Sequence, residues 1–173
     1  LSASKNTTLF ESGSALGRSL NLHFPYNSKL HWEGGSDNSY DNINKDFSAY
    51  KGRWDYWVLQ KDVDSGSMYV YRNGQLWHDG YNRTRPFGET VESFRLGANR
   101  NAGWHWNGWL DELRMSFNLE SPDSILASYE SQRPDGNFYS SQPVVGPPLF
   151  IDGQVAEGYA NDSNLSYLIK VFP

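Results

Sequence analysis

Apolar and aromatic residues are distributed in short runs: Thr8–Phe10, Ser19–Phe24, Leu30–Trp32, Trp54–Gln60, Ser67–Tyr71, Gln75–His78, Ser93–Leu96 and Gly108–Phe117. Stretches rich in Gly, Asn, Asp and Ser separate them, the pattern of β-strands joined by turns. In Met68-Tyr69-Val70-Tyr71-Arg72-Asn73-Gly74-Gln75-Leu76-Trp77 an alternating run enters Asn-Gly and leaves as a second apolar run, which predicts a hairpin over 67–78. One helix is expected, over about 122–131. Ser121 can cap it, Pro122 suits its first turn, Asp123 favours its dipole, and Ile125, Leu126 and Tyr129 share a face.

Composition supports an all-β reading. Aromatics make up 16% of the chain, with Trp 7, Tyr 11 and Phe 9, and Ala and Leu are too sparse for long helices. The 173 residues suffice for one domain plus part of a neighbour. Arg133-Pro134-Asp135-Gly136 and the segment from Gln142-Pro143 to Gly146-Pro147-Pro148 read as a linker. The expected organisation is a domain over 1–132, a linker over 133–148, and a fragment over 149–173. In that fragment Leu149–Ile151 and Leu165–Phe172 look like strands, too few to build a core. The chain opens Leu1-Ser2-Ala3-Ser4-Lys5 without a signal-peptide pattern, and both ends read as cut points.

A formal net charge of -5 without a Lys/Arg run argues against nucleic acid as a partner. No apolar stretch approaches the ~20 residues that span a bilayer, which argues against membrane insertion. The absence of cysteine removes disulfides, thiol catalysis and thiolate zinc sites, and leaves the compartment undecided.

Five segments, in order, carry a resemblance: Trp54-Asp55-Tyr56-Trp57-Val58-Leu59-Gln60-Lys61-Asp62, Met68 through Leu76, Phe94-Arg95-Leu96-Gly97, Asn107-Gly108-Trp109-Leu110-Asp111-Glu112-Leu113-Arg114, and Ser121 through Tyr129. Together they resemble the bacterial laminin G-like, concanavalin A-like lectin/glucanase family over residues 1 to about 132. The resemblance implies an antiparallel jelly-roll β-sandwich with one short helix near 122–131, and Trp54 and Trp57 at core positions. Two departures stand out. Arg72 replaces a usual apolar residue, so that position faces solvent or a partner, and the family's strands upstream of Leu9-Phe10-Glu11 are missing. Leu20 through Lys45, with Gly146-Pro147-Pro148-Leu149-Phe150 and Leu165-Ser166-Tyr167-Leu168-Ile169, resemble a subgroup found in large multidomain surface proteins. That likeness implies a secreted or cell-surface location and an immunoglobulin-like repeat beginning within 149–173. Leu165–Phe172 could instead supply the missing strand, to its own chain or to a neighbouring copy.

Related β-glucanases carry Glu-x-Asp-x-Glu on one strand, aiming three carboxylates at the sugar. This chain has no such triplet. Glu33, Asp37 and Asp41 come nearest, but Gly34-Gly35 and Ser36 predict a loop there. His23, His31, His78 and His105 lack metal-ligand spacing, and no Ser sits in a nucleophile elbow. The expectation is a protein that is not an enzyme.

Sugar binding requires flat aromatic faces beside hydrogen-bonding groups. The segment Asn99–Asn107 offers both, with Trp104 and Trp106 as the aromatic faces and Arg100, Asn101 and His105 as polar neighbours. Strand alternation would instead bury one of these tryptophans, together with Trp109. Trp32, Tyr40, Trp77 and Tyr81, with Arg83 and Arg85, form a weaker second set. Oxygen-rich turns suit calcium, and the resemblance places Asp111 where relatives bind a structural calcium. The alternative for Asp111 is a turn cap or a pair with Arg114. Two functions follow: a non-catalytic carbohydrate-binding or adhesive module whose partner is a polysaccharide or glycan, or a spacer that assembles with neighbouring copies or domains of a surface protein. Exposure of Trp104 and Trp106 side by side would favour the first.

Overall fold

A computed structural model describes residues 6–47, 52–88, 91–133 and the backbone of 165–172. Among these residues ten strands form two five-stranded sheets that face each other, with one helix beside them. The strands are β1 (Thr8–Ser14), β2 (Gly17–Tyr26), β3 (Lys29–Ser36), β4 (Ser39–Asp46), β5 (Asp55–Asp62), β6 (Ser67–Arg72), β7 (Gln75–Gly80), β8 (Ser93–Leu96), β9 (Trp109–Ser116) and β10 (Leu165–Phe172). The first sheet runs β4-β3-β2-β1-β8 and the second β7-β6-β5-β10-β9, and all of these neighbours pair antiparallel.

Local chemistry accounts for most of this order. β2–β3, β3–β4 and β6–β7 are joined by two residues that both have positive φ: Asn27-Ser28, Asp37-Asn38 and Asn73-Gly74. Such turns match the right-handed twist of the strands they join. The expected 67–78 hairpin is therefore present. The loop expected at Gly34-Gly35-Ser36 is not, because β3 runs to Ser36. A Cβ on Gly34 would lie 2.9 Å from the Phe87 ring and 3.1 Å from the Lys61 side chain, so glycine here makes room for close packing, not for a bend.

The inward faces bury Leu9, Phe10, Leu22, Phe24, Trp32, Trp57, Leu59 and Val70. Each aliphatic or phenyl side chain so buried stabilises the fold by about 1.5–3 kcal/mol relative to exposure. Trp57 lies in the core as expected, but Trp54 precedes β5 and is 51% exposed. Arg72 differs from both alternatives read for it. Its guanidinium lies 5.2 Å from the Trp57 ring and 5.3 Å from Phe47, and bonds Asp55 at 2.7 Å beside a cleft of about 310 Å³ at the β6–β7 turn.

Helix α1 (Pro122–Gln132) covers the outer face of the second sheet. Ser121 accepts a hydrogen bond from the Ser124 N–H as N-cap, and Ile125 packs on Tyr56, Val58 and Tyr71. In the second sheet β10 is inserted between β5 and β9. The sequence reading offers two places for it, the start of a following repeat or a strand supplied to this sandwich, and its backbone pairs with β5 from Leu165 opposite Lys61 to Val171 opposite Asp55, and with β9 on its other side. It thereby satisfies backbone groups on both neighbours. The linker beyond Arg133 and the strand at Leu149–Ile151 lie outside the described residues.

Candidate functional site

With α1 on the second sheet, the opposite side of the sandwich is the outer face of the first. Register brings polar residues into rows there. Arg95, Glu11, Asn21, Glu33 and Asn42 stand opposite one another across β8, β1, β2, β3 and β4. Thr8, His23, His31 and Asn44 form the adjacent row. Alternation imposes this arrangement, since Leu20, Leu22 and Phe24 point into the core while Asn21 and His23 between them point away.

The rows are bonded into one network. Asn21 donates to Glu33 Oε2 at 3.0 Å and Asn42 donates to Oε1 at 2.9 Å. Arg18 lies across this floor. Its Nη2 is 3.3 Å from Glu33 and also donates to the Tyr40 hydroxyl, its Nη1 is 3.5 Å from His23 Nε2, and its guanidinium lies 4.5 Å from the Tyr40 ring. Two buried atoms of this face, Arg18 Nε and Asn21 Oδ1, have no hydrogen-bond partner.

Burial pushes the Glu11 carboxyl above its ordinary pKa, against the opposing pull of Arg18 and of Arg100, whose side chain lies 3.6 Å away. His23 is lowered to about 3, by burial first and then by Arg18 and His31. His31 is lowered too, chiefly by burial. The two histidines are therefore neutral hydrogen-bonding groups near pH 7.

The loop after β8 supplies the aromatic wall. It is stitched along β1 by Gly97 N–H to Leu9 C=O and Thr8 N–H to Trp104 C=O. Trp104 has φ of 48°, which breaks the alternation that would put it on the same side as Trp106. Trp104 is 41% exposed, with its ring 5.2 Å from His23 and 5.4 Å from Tyr26. Trp106 turns the other way, packs on the core 5.5 Å from Phe24, and leaves its indole N–H without a hydrogen-bond partner. The two tryptophans are thus not a paired platform. Arg100 joins the site through Glu11, while Asn101 and His105 are exposed on the loop and enter none of the bonds described above.

The other sequence candidates disperse. Trp32 is fully buried and Trp77 packs against the core, so neither lines a surface with Tyr81. Arg83 bonds the Asn42 carbonyl, and the Arg85 backbone N–H donates to Asp41 at 2.8 Å. Trp109, weighed above as a core residue, is 74% exposed on β9. Asp111 is exposed on the same strand, and Arg114 pairs with Glu112 at 3.0 Å. Among the described residues no group of three or more His, Cys, Asp or Glu is placed to hold a metal ion. Sequence reasoning missed Glu11, Arg18, Asn21 and Asn42. Their common signal is the polar position between two apolar ones, at Asn21 and His23 above all.

Residues 2–125 match the family model described as the concanavalin A-like lectin/glucanases superfamily. A search of the curated proteins returns no match. Among solved structures, the chain is similar to a crystal structure of an S-layer domain-containing protein (residues 221–444) from Clostridium thermocellum ATCC 27405. The TM-score is 0.34 and the identity 14%, over 75% of this chain and 65% of that one.

Proposed function

We propose that this chain, which belongs to the concanavalin A-like lectin/glucanases superfamily, is a non-catalytic carbohydrate-binding module of a secreted or cell-surface protein, holding saccharide on the outer face of its first sheet. The observation that carries this reading is the half-exposed Trp104 ring, 5.2 Å from His23, at the margin of the polar network of Arg18, Asn21, Glu33 and Asn42 on the outer face. A pyranose has an apolar C–H face for the indole and a hydroxyl rim for the polar floor.

Binding is favoured over hydrolysis because the carboxylates are occupied. Glu33 meets two amides and a guanidinium, and Glu11, 4% exposed, meets Arg100. A glycosidase needs one carboxyl free to give a proton and another free to attack or to activate water. Affinity electrophoresis in gels containing soluble polysaccharides tests the proposal. Trp104→Ala is expected to weaken retention roughly tenfold, or about 1.4 kcal/mol, for the loss of one stacking face. Unchanged retention would remove Trp104 from the site. Release of reducing ends, abolished by Glu33→Gln, would replace the binding reading with an enzymatic one.

A second reading, assembly with neighbouring copies, draws on β9. Trp109, Met115 and Phe117 are exposed along or just beyond this strand at the margin of the second sheet. Association that rises with protein concentration without saccharide, alongside absent retention in every gel, would favour it.

A further inference from the structure

We infer that one end of the second sheet carries a further saccharide site, a platform of two tryptophans, Trp54 and Trp109, that takes an extended, unbranched β-linked glycan chain. This site lies on the other sheet from Trp104 and stands independently of the site there.

Both indoles are exposed, although an indole is among the largest apolar surfaces a chain can leave in water. Backbone register brings them to the same place. Val171 of β10 pairs with Asp55 on one side and Leu110 on the other, and Trp54 and Trp109 are the residues immediately before these partners. They therefore stand at the same end of the sheet, with only β10 between their strands, about 10 Å apart at two strand spacings. Both belong to the side that α1 covers. Tyr56 and Val58 pack beneath α1, so alternation puts Trp54 on that side, one outward position beyond Tyr56. Leu110 packs toward the core, which turns Trp109 the opposite way. Ile125 of α1 sits on Tyr56, Val58 and Tyr71, so the helix is seated further along the strands than the tryptophan row.

The spacing and the surroundings then name the ligand. Two flat apolar faces in one row fit a molecule that repeats an apolar face along a straight line, as the C–H faces of an extended β-linked pyranose chain do. The separation is that of a disaccharide, so the indoles stack on alternate sugars. The hydroxyl rim meets polar side chains at both ends of the row. Asp111, two positions beyond Trp109 and on its side, and Glu112 are exposed acceptors, and Arg114 and Arg53 are exposed donors. This mixture of charges disfavours a protein partner, because the buried centre of a protein interface is depleted of charge. A second copy adding its strand to β9 is disfavoured as well. β9 bulges at Glu112, where φ is 52° and the register with β10 shifts, and a bulge turns an edge away from pairing.

Affinity electrophoresis of the full chain tests this in a Trp104→Ala background, which lacks the stacking face of the first sheet. The probes are hydroxyethylcellulose, whose chain is extended, and laminarin, whose chain curls. Retention by hydroxyethylcellulose is expected to persist in that background and to fall about tenfold on adding either Trp54→Ala or Trp109→Ala, for the loss of one stacking face. Trp54→Tyr and Trp109→Tyr keep a ring and are expected to restore most of it. A measurement on the wild type covers the case in which a variant fails to fold: cellohexaose is expected to slow oxidation of Trp54 and Trp109 together by N-bromosuccinimide, read by peptide mass. Protection of neither, or a fall for one tryptophan without the other, would overturn the paired platform. Stronger retention by laminarin would overturn the extended-chain assignment. No retention in the Trp104→Ala background overturns the inference and leaves the first-sheet site standing. A Trp104→Ala protein retained like the wild type, yet released by Trp54→Ala and by Trp109→Ala, removes the first-sheet site and supports this one. Should Trp109→Ala instead lower association of the chain with itself in the absence of saccharide, the indole belongs to a contact between copies and the inference falls.

Discussion

Asp41→Asn is expected to cost about 3–5 kcal/mol of folding stability, the usual penalty for stranding one charge of a buried pair. Lys61 has no exposed side-chain surface, and its Nζ lies between Asp41 Oδ2 and the Gly34 carbonyl, 2.8 Å from each. Lys61 belongs to β5 and Asp41 to β4, so the pair ties the two sheets together under the Phe87 ring. Burial lowers the Lys61 pKa, and the hydrogen bond and charge of Asp41 work against that shift. Without the carboxylate, the lysine must lose its proton or draw water into the sandwich. Replacing both partners, Lys61→Met with Asp41→Leu, removes the desolvation problem and is expected to restore most of the loss. Arg85, the other cation on Asp41, is 55% exposed and can return to solvent. Urea unfolding of the single and double variants measures this, and a single-variant loss below about 1 kcal/mol would show that the pair is effectively solvated.

His23 is expected to make the fold labile to acid. Its folded pKa of about 3 lies below the ordinary 6.5, so between these values the unfolded chain binds a proton that the folded chain does not. This contribution is complete above pH 6.5 and drains away as the pH falls toward 3. At pH 4 the loss is on the order of 3 kcal/mol, at about 1.4 kcal/mol per pH unit. The cause is local: the ring is buried among Trp104, Tyr26 and His31, and the Arg18 cation stands 3.5 Å from Nε2. Glu11 acts in the opposite sense. Its raised pKa lets the folded state hold a proton that the unfolded state has released, so its share of stability falls as the pH rises through its folded value. His23→Gln is expected to be less stable at pH 7 yet to lose much less than the wild type between pH 7 and pH 4. Parallel losses for the two proteins would clear His23 of the effect.

The sandwich was legible in the sequence wherever a local signal carried it. Asn73-Gly74 announced one hairpin, and Ser121-Pro122 announced a helix that begins at Pro122 as read. Asn27-Ser28 and Asp37-Asn38 make the same kind of turn without glycine, using the tolerance of Asn, Asp and Ser for positive φ, and gave no comparable cue. The misreading of Gly34-Gly35 then hid the site, because it moved Glu33 from a strand to a loop. Glu33 meets Asn21 and Asn42 only through the pairing of β2, β3 and β4, and register between strands is not written in any one of them. The opposite turning of Trp104 and Trp106 depends on one backbone dihedral, which spacing cannot supply.

The contact between α1 and the β6–β7 turn bears on how this module can be engineered. Hairpin tips are customary places to insert an epitope or to open new chain ends, since they project into solvent. At Gly74, where φ is 78°, even an added Cβ would come within 2.8 Å of Leu126 and 3.2 Å of the Tyr129 ring. This tip is roofed by the helix, so it serves as an interior joint. Gly97 also has positive φ, but nothing lies within 4 Å of the added atom, so there is room for a side chain at that position.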